Sequence, residues 1–161
     1  MISGEKGTRD HLAGQVAVVT GGGRGIGRAI AMALAESAVR TGVIARSERE
    51  LSETVALIEE SGGHGKAFVA DVTDAARIRA VMAEIAEDFG PIKLLVNNAG
   101  IVGPIGPFHL TELSEWWRTA EVNLLGTVIC SRAVLPGMIS AREGRIINIV
   151  TSSAAFTYLS S

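Results

Sequence analysis

Five glycines fall within eight residues at positions 20–27, TGGGRGIG, between two apolar patterns of different period. Upstream, Val16, Ala17, Val18 and Val19 make a short run rich in β-branched residues. Downstream, Ile26, Ala29, Ile30, Ala33 and Leu34 recur at three- and four-residue steps, which predicts a helix with one stripe against a sheet. A strand that empties through glycines into a helix N-terminus aims unpaired N–H groups and the positive end of the helix dipole at one spot. Such a spot suits a phosphate. The glycine spacing is TGxxxGxG rather than the strict dinucleotide fingerprint GxGxxG.

Other residues able to do chemistry stand at the ends of apolar runs. Asp71 follows residues 67–70, Asn97, Asn98, Ala99 and Gly100 follow Val96, and Thr151, Ser152 and Ser153 follow Val150. Asn123 interrupts an apolar helical pattern, where an amide needs partners. Arg24 lies in the glycine turn and Arg46 directly after a second strand ending at Ala45. Two guanidiniums facing one phosphate would make charge-assisted bonds. His11, His64 and His109 are far apart in sequence, with no metal-ligand spacing, so no metal site is expected.

The elements that must position these residues alternate. Val43, Ile44 and Ala45 form a second strand, and Ser47 opens a helix with Glu50 three residues on, a capping box, with Leu51, Val55 and Ile58 inward. Residues 67–70 form a third strand; Thr73 is placed to cap a helix whose buried face is Ile78, Val81, Met82, Ile85 and Phe89. Ile92, Leu94, Leu95 and Val96 form a fourth strand, followed by a Gly/Pro-rich loop over 101–110. A long helix starts near Thr111 or Ser114 and runs through Val122, Leu125, Val128 and Ile129 toward Pro136 and Gly137, with Trp116 as a packing residue. Residues 145–150 are a fifth strand.

Alternating strands and helices predict an α/β Rossmann-type doubly wound parallel sheet, strand order 3-2-1-4-5, in three α/β/α layers. Residues 1–161 read as a single domain, with 1–11 a polar N-terminal extension. Ligands in such sheets bind at strand carboxyl ends beside the switch point between strands 1 and 4, where the four chemistry-bearing segments converge.

Composition narrows the partners. A net charge of -2 and a pI near 5.9 give no footprint for nucleic acid. No run approaches the roughly 18 consecutive apolar residues of a membrane span, so no membrane partner is expected. The single cysteine, Cys130, lies in an apolar stretch and reads as a buried inert thiol, consistent with a cytoplasmic protein.

With TGGGRGIG, the Asp71-Val72 pair, NNAG at 97–100 and VNLLG around Asn123 in this order, the chain from about Leu12 onward resembles the short-chain dehydrogenase/reductase family. The resemblance implies that Gly21, Arg24, Gly25, Ile26 and Gly27 surround a cofactor pyrophosphate and ribose. Asp71 would accept from the adenine amino group beside Val72, while Asn98, Ala99 and Gly100 would lie along the cofactor and Asn97 would brace neighbouring strands. Asn123 would bend its helix and hold a water in a proton relay. Counting from Asn148 places the family's catalytic hydroxyl at Thr151, with Ser153 as the alternative if the strand carries a bulge. The family's YxxxK pair is missing: Tyr158, the only tyrosine, comes too soon, and no lysine follows.

An acid at the end of strand 2 would bind a ribose 2′-hydroxyl and repel a 2′-phosphate. Ala45 and Arg46 stand there instead, which predicts NADP(H) over NAD(H). The expected function is the cofactor-binding part of an NADP(H)-dependent oxidoreductase acting on a small carbonyl or alcohol substrate, inactive alone, with a homo-oligomer, tetramer or dimer, for the full-length family member. The rival from another class is a non-catalytic nucleotide-binding or interaction module. A methyltransferase fits less well, because it would carry the acid that strand 2 lacks.

Overall fold

The computed structural model describes residues 12–150, which build one five-stranded sheet. In chain order the elements are β1 (Val16–Thr20), α1 (Gly25–Glu36), β2 (Arg40–Ala45), α2 (Glu48–Glu60), β3 (His64–Val69), α3 (Ala75–Phe89) and β4 (Ile92–Asn97). A 3-10 turn (Phe108–Leu110), α4 (Leu113–Ala120), a π-helical segment (Glu121–Leu125), α5 (Gly126–Ala141) and β5 (Arg145–Asn148) complete it.

The sheet order is β3-β2-β1-β4-β5, every pairing parallel, as the alternation of periods predicts. The register brings Thr20 beside Ile44, Ala45 beside Val69 and Asn97 beside Asn148, so the carboxyl ends share one rim. A parallel sheet must be covered on both faces, and two apolar clusters do this. Ile78, Val81 and Ile85 of α3 with Cys130, Val134 and Met138 of α5 fill one face; Ala31 and Ala35 of α1 with Leu51 and Ile58 of α2 fill the other. Burial pushes the Cys130 thiol up to about 12, which keeps it protonated.

Three helical expectations are corrected. The inward face of α1 is Gly27, Ala31 and Ala35, with Ile30 and Leu34 of the expected stripe packed at its margin and Ile26, Ala29 and Ala33 exposed, because Gly27 must meet the backbone of the preceding turn. Along the last helical run the inward residues are Val122, Gly126, Cys130, Val134 and Met138, while Leu125 and Val128 are exposed. Gly126 sets that rotation, since a Cβ there would stand 2.6 Å from Val72 Cγ2. Asp74, not Thr73, caps α3, accepting from the N–H groups of Ala76 and Arg77.

Pro136 does not end α5; its missing N–H falls on the exposed side, and the helix runs on to a left-handed Arg142. The helical stretch Leu113–Ala141 has the length and composition of a membrane-crossing helix, yet its inner residues pack on β4 and α3. Trp116 is partly exposed and stacks on Trp117 with ring centroids 6.3 Å apart, so it is not a core packing residue. β2 and β3 begin three residues earlier than the apolar runs indicate, and β5 stops at Asn148.

Candidate functional site

The glycine turn between β1 and α1 is shaped by close approach. A Cβ on Gly27 would lie 2.1 Å from the Gly21 carbonyl oxygen, so only glycine lets α1 come this near the strand end. Gly25 has φ +55, a left-handed conformation, at the first residue of the helix. Arg24 at the N-cap position makes no side-chain capping bond, and no acid occupies the first turn. By contrast α2 carries the Ser47 cap expected from sequence, which accepts from Glu50 N–H. The first N–H groups of α1 are therefore left to a ligand or to water.

Behind the turn, the carbonyl of Gly23 is held from α1 by Arg28, which also donates to Thr54 Oγ1 and to Glu53. The Thr54 hydroxyl stands 3.0 Å from the Gly22 carbonyl and 3.1 Å from that of Gly23. These residues were missed in the sequence, because an arginine and a threonine on helices read as solvated or filler positions. Ser47 and Glu50 also line the site, and Glu50 Oε1 lies 3.8 Å from Arg24 Nη1.

Thr20 ties β1 to the end of β4. Its buried hydroxyl accepts from the N–H groups of Asn98 (3.1 Å) and Ala99 (3.0 Å), while Asn98 Nδ2 donates back to the carbonyls of Thr20 and Gly21. Asn97 points the other way, donating to Asn148 Oδ1 at 2.9 Å and to Ser131 at 3.1 Å, the strand bracing expected of it.

Between these segments opens a cavity of about 490 Å³. Gly21, Arg24, Gly25, Ile26, Gly27, Arg46, Val72, Asn98, Ala99 and Gly100 are among its lining residues. Ile26 is 65% exposed there, an apolar side chain held in the opening rather than in the core.

Asp71 stands beside this cavity and is not part of its lining. Its Oδ1 accepts from the Thr73 N–H (2.9 Å) and hydroxyl (2.7 Å), and its Oδ2 from Arg118 Nη2 at 2.9 Å, with Arg46 Nη1 4.0 Å away. Burial alone would raise its pKa, but the Thr73 bonds and the Arg118 guanidinium outweigh burial and hold the carboxyl below its ordinary value. Arg118 gave no sequence signal, being one cation on a helix with exposed faces.

Asn123 lies in the π-helical segment, where the helix is locally widened, and clamps the loop after β4. Its Oδ1 accepts from the Ile101 N–H at 2.9 Å and its Nδ2 donates to the Ile101 carbonyl at 3.0 Å. Those are the partners its amide required. Thr151 and Ser153 lie outside the described residues, as does Tyr158. Among the described residues no cluster of His, Cys, Asp and Glu could hold a metal ion.

The chain matches the family described as short chain dehydrogenase over residues 15–160. It is 43% identical over 143 residues to galactitol 2-dehydrogenase from Rhizobium johnstonii, covering 89% of this chain and 55% of that one. With D-threitol dehydrogenase from Mycolicibacterium smegmatis it shares 36% identity over 144 residues, covering 89% and 55%. Among solved structures, a metagenomic short-chain oxidoreductase in complex with NADP superposes with TM-score 0.85 at 36% identity, covering 91% of this chain and 66% of that one. An NAD+-bound xylitol dehydrogenase superposes with TM-score 0.87 at 30% identity, covering 89% and 55%. The chain spans about half the length of the curated relatives it matches.

Proposed function

The chain belongs to the short chain dehydrogenase family, and from that premise we propose that it is the cofactor-binding part of an NADP(H)-dependent oxidoreductase for small carbonyl or alcohol substrates. The observation that carries this reading is the uncapped N-terminus of α1 opening on a cavity flanked by Arg24 and Arg46. The residues fit a dinucleotide. The Gly27 cradle, which a Cβ would fill, admits a pyrophosphate against the first turn of α1, and Gly21, Gly25 and Ile26 shape the same wall.

Val72, Ala99 and Gly100 offer small, mostly apolar contacts for rings, and the Asp71 carboxylate keeps acceptor capacity for an adenine amino group. Nicotinamide, when bound, supplies or takes the hydride. This chain's residues orient the dinucleotide, and Asn123 positions the loop at Ile101 beside it. Thr151 is assigned the hydroxyl that polarises a substrate carbonyl, with Ser153 as alternative, and Asn123 a place in the proton relay. The single thiol is buried, which accords with a cytoplasmic protein, and a homo-oligomer is proposed for the whole protein.

The choice of NADP(H) rests on charge. Arg24 and Arg46 are largely exposed, so each contributes about 1 kcal/mol to holding a 2′-phosphate rather than the larger value of a desolvated pair. Together that amounts to a preference of roughly tenfold or more. Calorimetric titration of the chain with NADPH and NADH tests it: tighter NADPH binding is expected, and equal or tighter NADH binding overturns the assignment. An NADPH-oxidation assay over a carbonyl panel is expected to show no turnover by this chain alone, and measurable turnover overturns the expectation that it is inactive by itself.

A further inference from the structure

One carboxylate, Asp71, lies within reach of two arginines that belong to different elements. Arg46, directly after β2, holds its Nη1 4.0 Å from Asp71 Oδ2, while Arg118 of α4 donates its Nη2 to the same oxygen at 2.9 Å. The second arginine is the better placed: its other terminal nitrogen is 3.4 Å from Thr73 Oγ1 and 3.5 Å from Glu121 Oε2, so three groups fix its fork. Oδ1 is already taken by the Thr73 N–H and hydroxyl. Arg46 lines the cavity and Arg118 does not.

We infer that Arg118 is a specificity-determining positioning residue: by occupying Asp71 it leaves Arg46 available for the 2′-phosphate of a dinucleotide. The inference rests on the NADP(H) reading above and names the device that sustains it. The competing arrangement is plain from the distances. Remove the Arg118 guanidinium, and Asp71 Oδ2 loses its closest cation; Arg46, already at 4.0 Å, is the next within reach. A guanidinium drawn into a direct pair with that carboxylate is held away from the cavity, and part of its charge is cancelled where the phosphate would lie. The cost falls on the phosphorylated cofactor alone, since NADH offers Arg46 no second anion at that point.

The test is the ratio of NADH to NADPH dissociation constants, measured by equilibrium dialysis of the 161-residue chain, in which the ratio cancels any fraction of incompetent protein. Arg118→Met is expected to lower the ratio roughly 2- to 5-fold, the range open to an exposed ion pair, chiefly by weakening NADPH. Arg118→Lys, which keeps a cation on Asp71, is expected to restore most of it. In an Arg46→Ala background Arg118→Met is expected to leave the ratio unchanged.

A role limited to folding would weaken both cofactors equally and leave the ratio where it was, which overturns the inference. So would an equal fall in the ratio with and without Arg46, because Arg118 would then act by its own charge. A wild-type chain that binds NADH as tightly as NADPH would instead remove the 2′-phosphate reading itself. A wild-type preference left undiminished by Arg118→Met would remove only the part assigned to Arg118.

Discussion

A missing side chain decides the geometry at Gly27, and a charged one the electrostatics at Asp71. Gly27→Ala puts a methyl group 2.1 Å from a backbone oxygen, a contact that no rotamer can relieve. The helix must shift away from β1, at about 1–3 kcal/mol of stability, and the phosphate cradle opens with it. Thermal melts of the variant should show the loss, and calorimetry should show NADPH binding reduced at least as far; native-like affinity would contradict a cradle built on that glycine.

At Asp71 the folded pKa is depressed, so its stabilising contribution is complete above the ordinary value of 3.8 and is lost as pH falls through the lower folded value. The melting temperature of Asp71→Asn should therefore lie below wild type near neutrality. The two curves should converge below about pH 3.8. A gap that persists unchanged in acid would mean that the Thr73 and Arg118 bonds add nothing through the charge.

Among the elements, the sheet and the inward faces of α2 and α3 were legible, while the faces of α1 and of the last helical run were not. Strand order follows from the alternation of runs and the right-handed crossover rule, and chemistry-bearing residues at strand ends follow from that order. Helix rotation is decided by single close contacts that no periodicity carries, Gly27 against Gly21 and Gly126 against Val72. For the same reason Arg28 and Arg118 were invisible as site residues, since their partners, Gly23 and Asp71, lie in connecting turns outside the helices that carry the arginines.

Thr20 is the clearest case of an element held by one group, because its hydroxyl accepts the N–H groups of both Asn98 and Ala99 across the β1–β4 seam. Thr20→Val keeps the shape and strands both donors in a buried place, which predicts a loss of about 1–3 kcal/mol per donor that finds no water. Denaturant titration measures it. An unchanged midpoint would show that the seam is held by strand pairing alone.

Across the whole molecule the two faces of the sheet are finished to different degrees. α1 and α2 bury Leu51, Ile58 and Ala31 completely, whereas α4, the π segment and α5 leave Leu113, Trp117, Leu124 and Ile139 exposed beside Leu125 and Val128. β5, at the end of the sheet order, adds an exposed Ile147, and Ile149 just past its end is exposed as well. Exposed apolar side chains in this number, together with a β-prone strand at the end of the sheet order, favour association. Analytical ultracentrifugation of residues 1–161 should show concentration-dependent association. Because Leu124 and Ile139 are exposed and belong neither to the cavity lining nor to the core clusters, the pair Leu124→Lys and Ile139→Lys should reduce it without altering NADPH affinity. A monodisperse monomer for the unaltered chain would show that the exposed face does not drive association, and persistent association of the double variant would place the contact elsewhere, on β5.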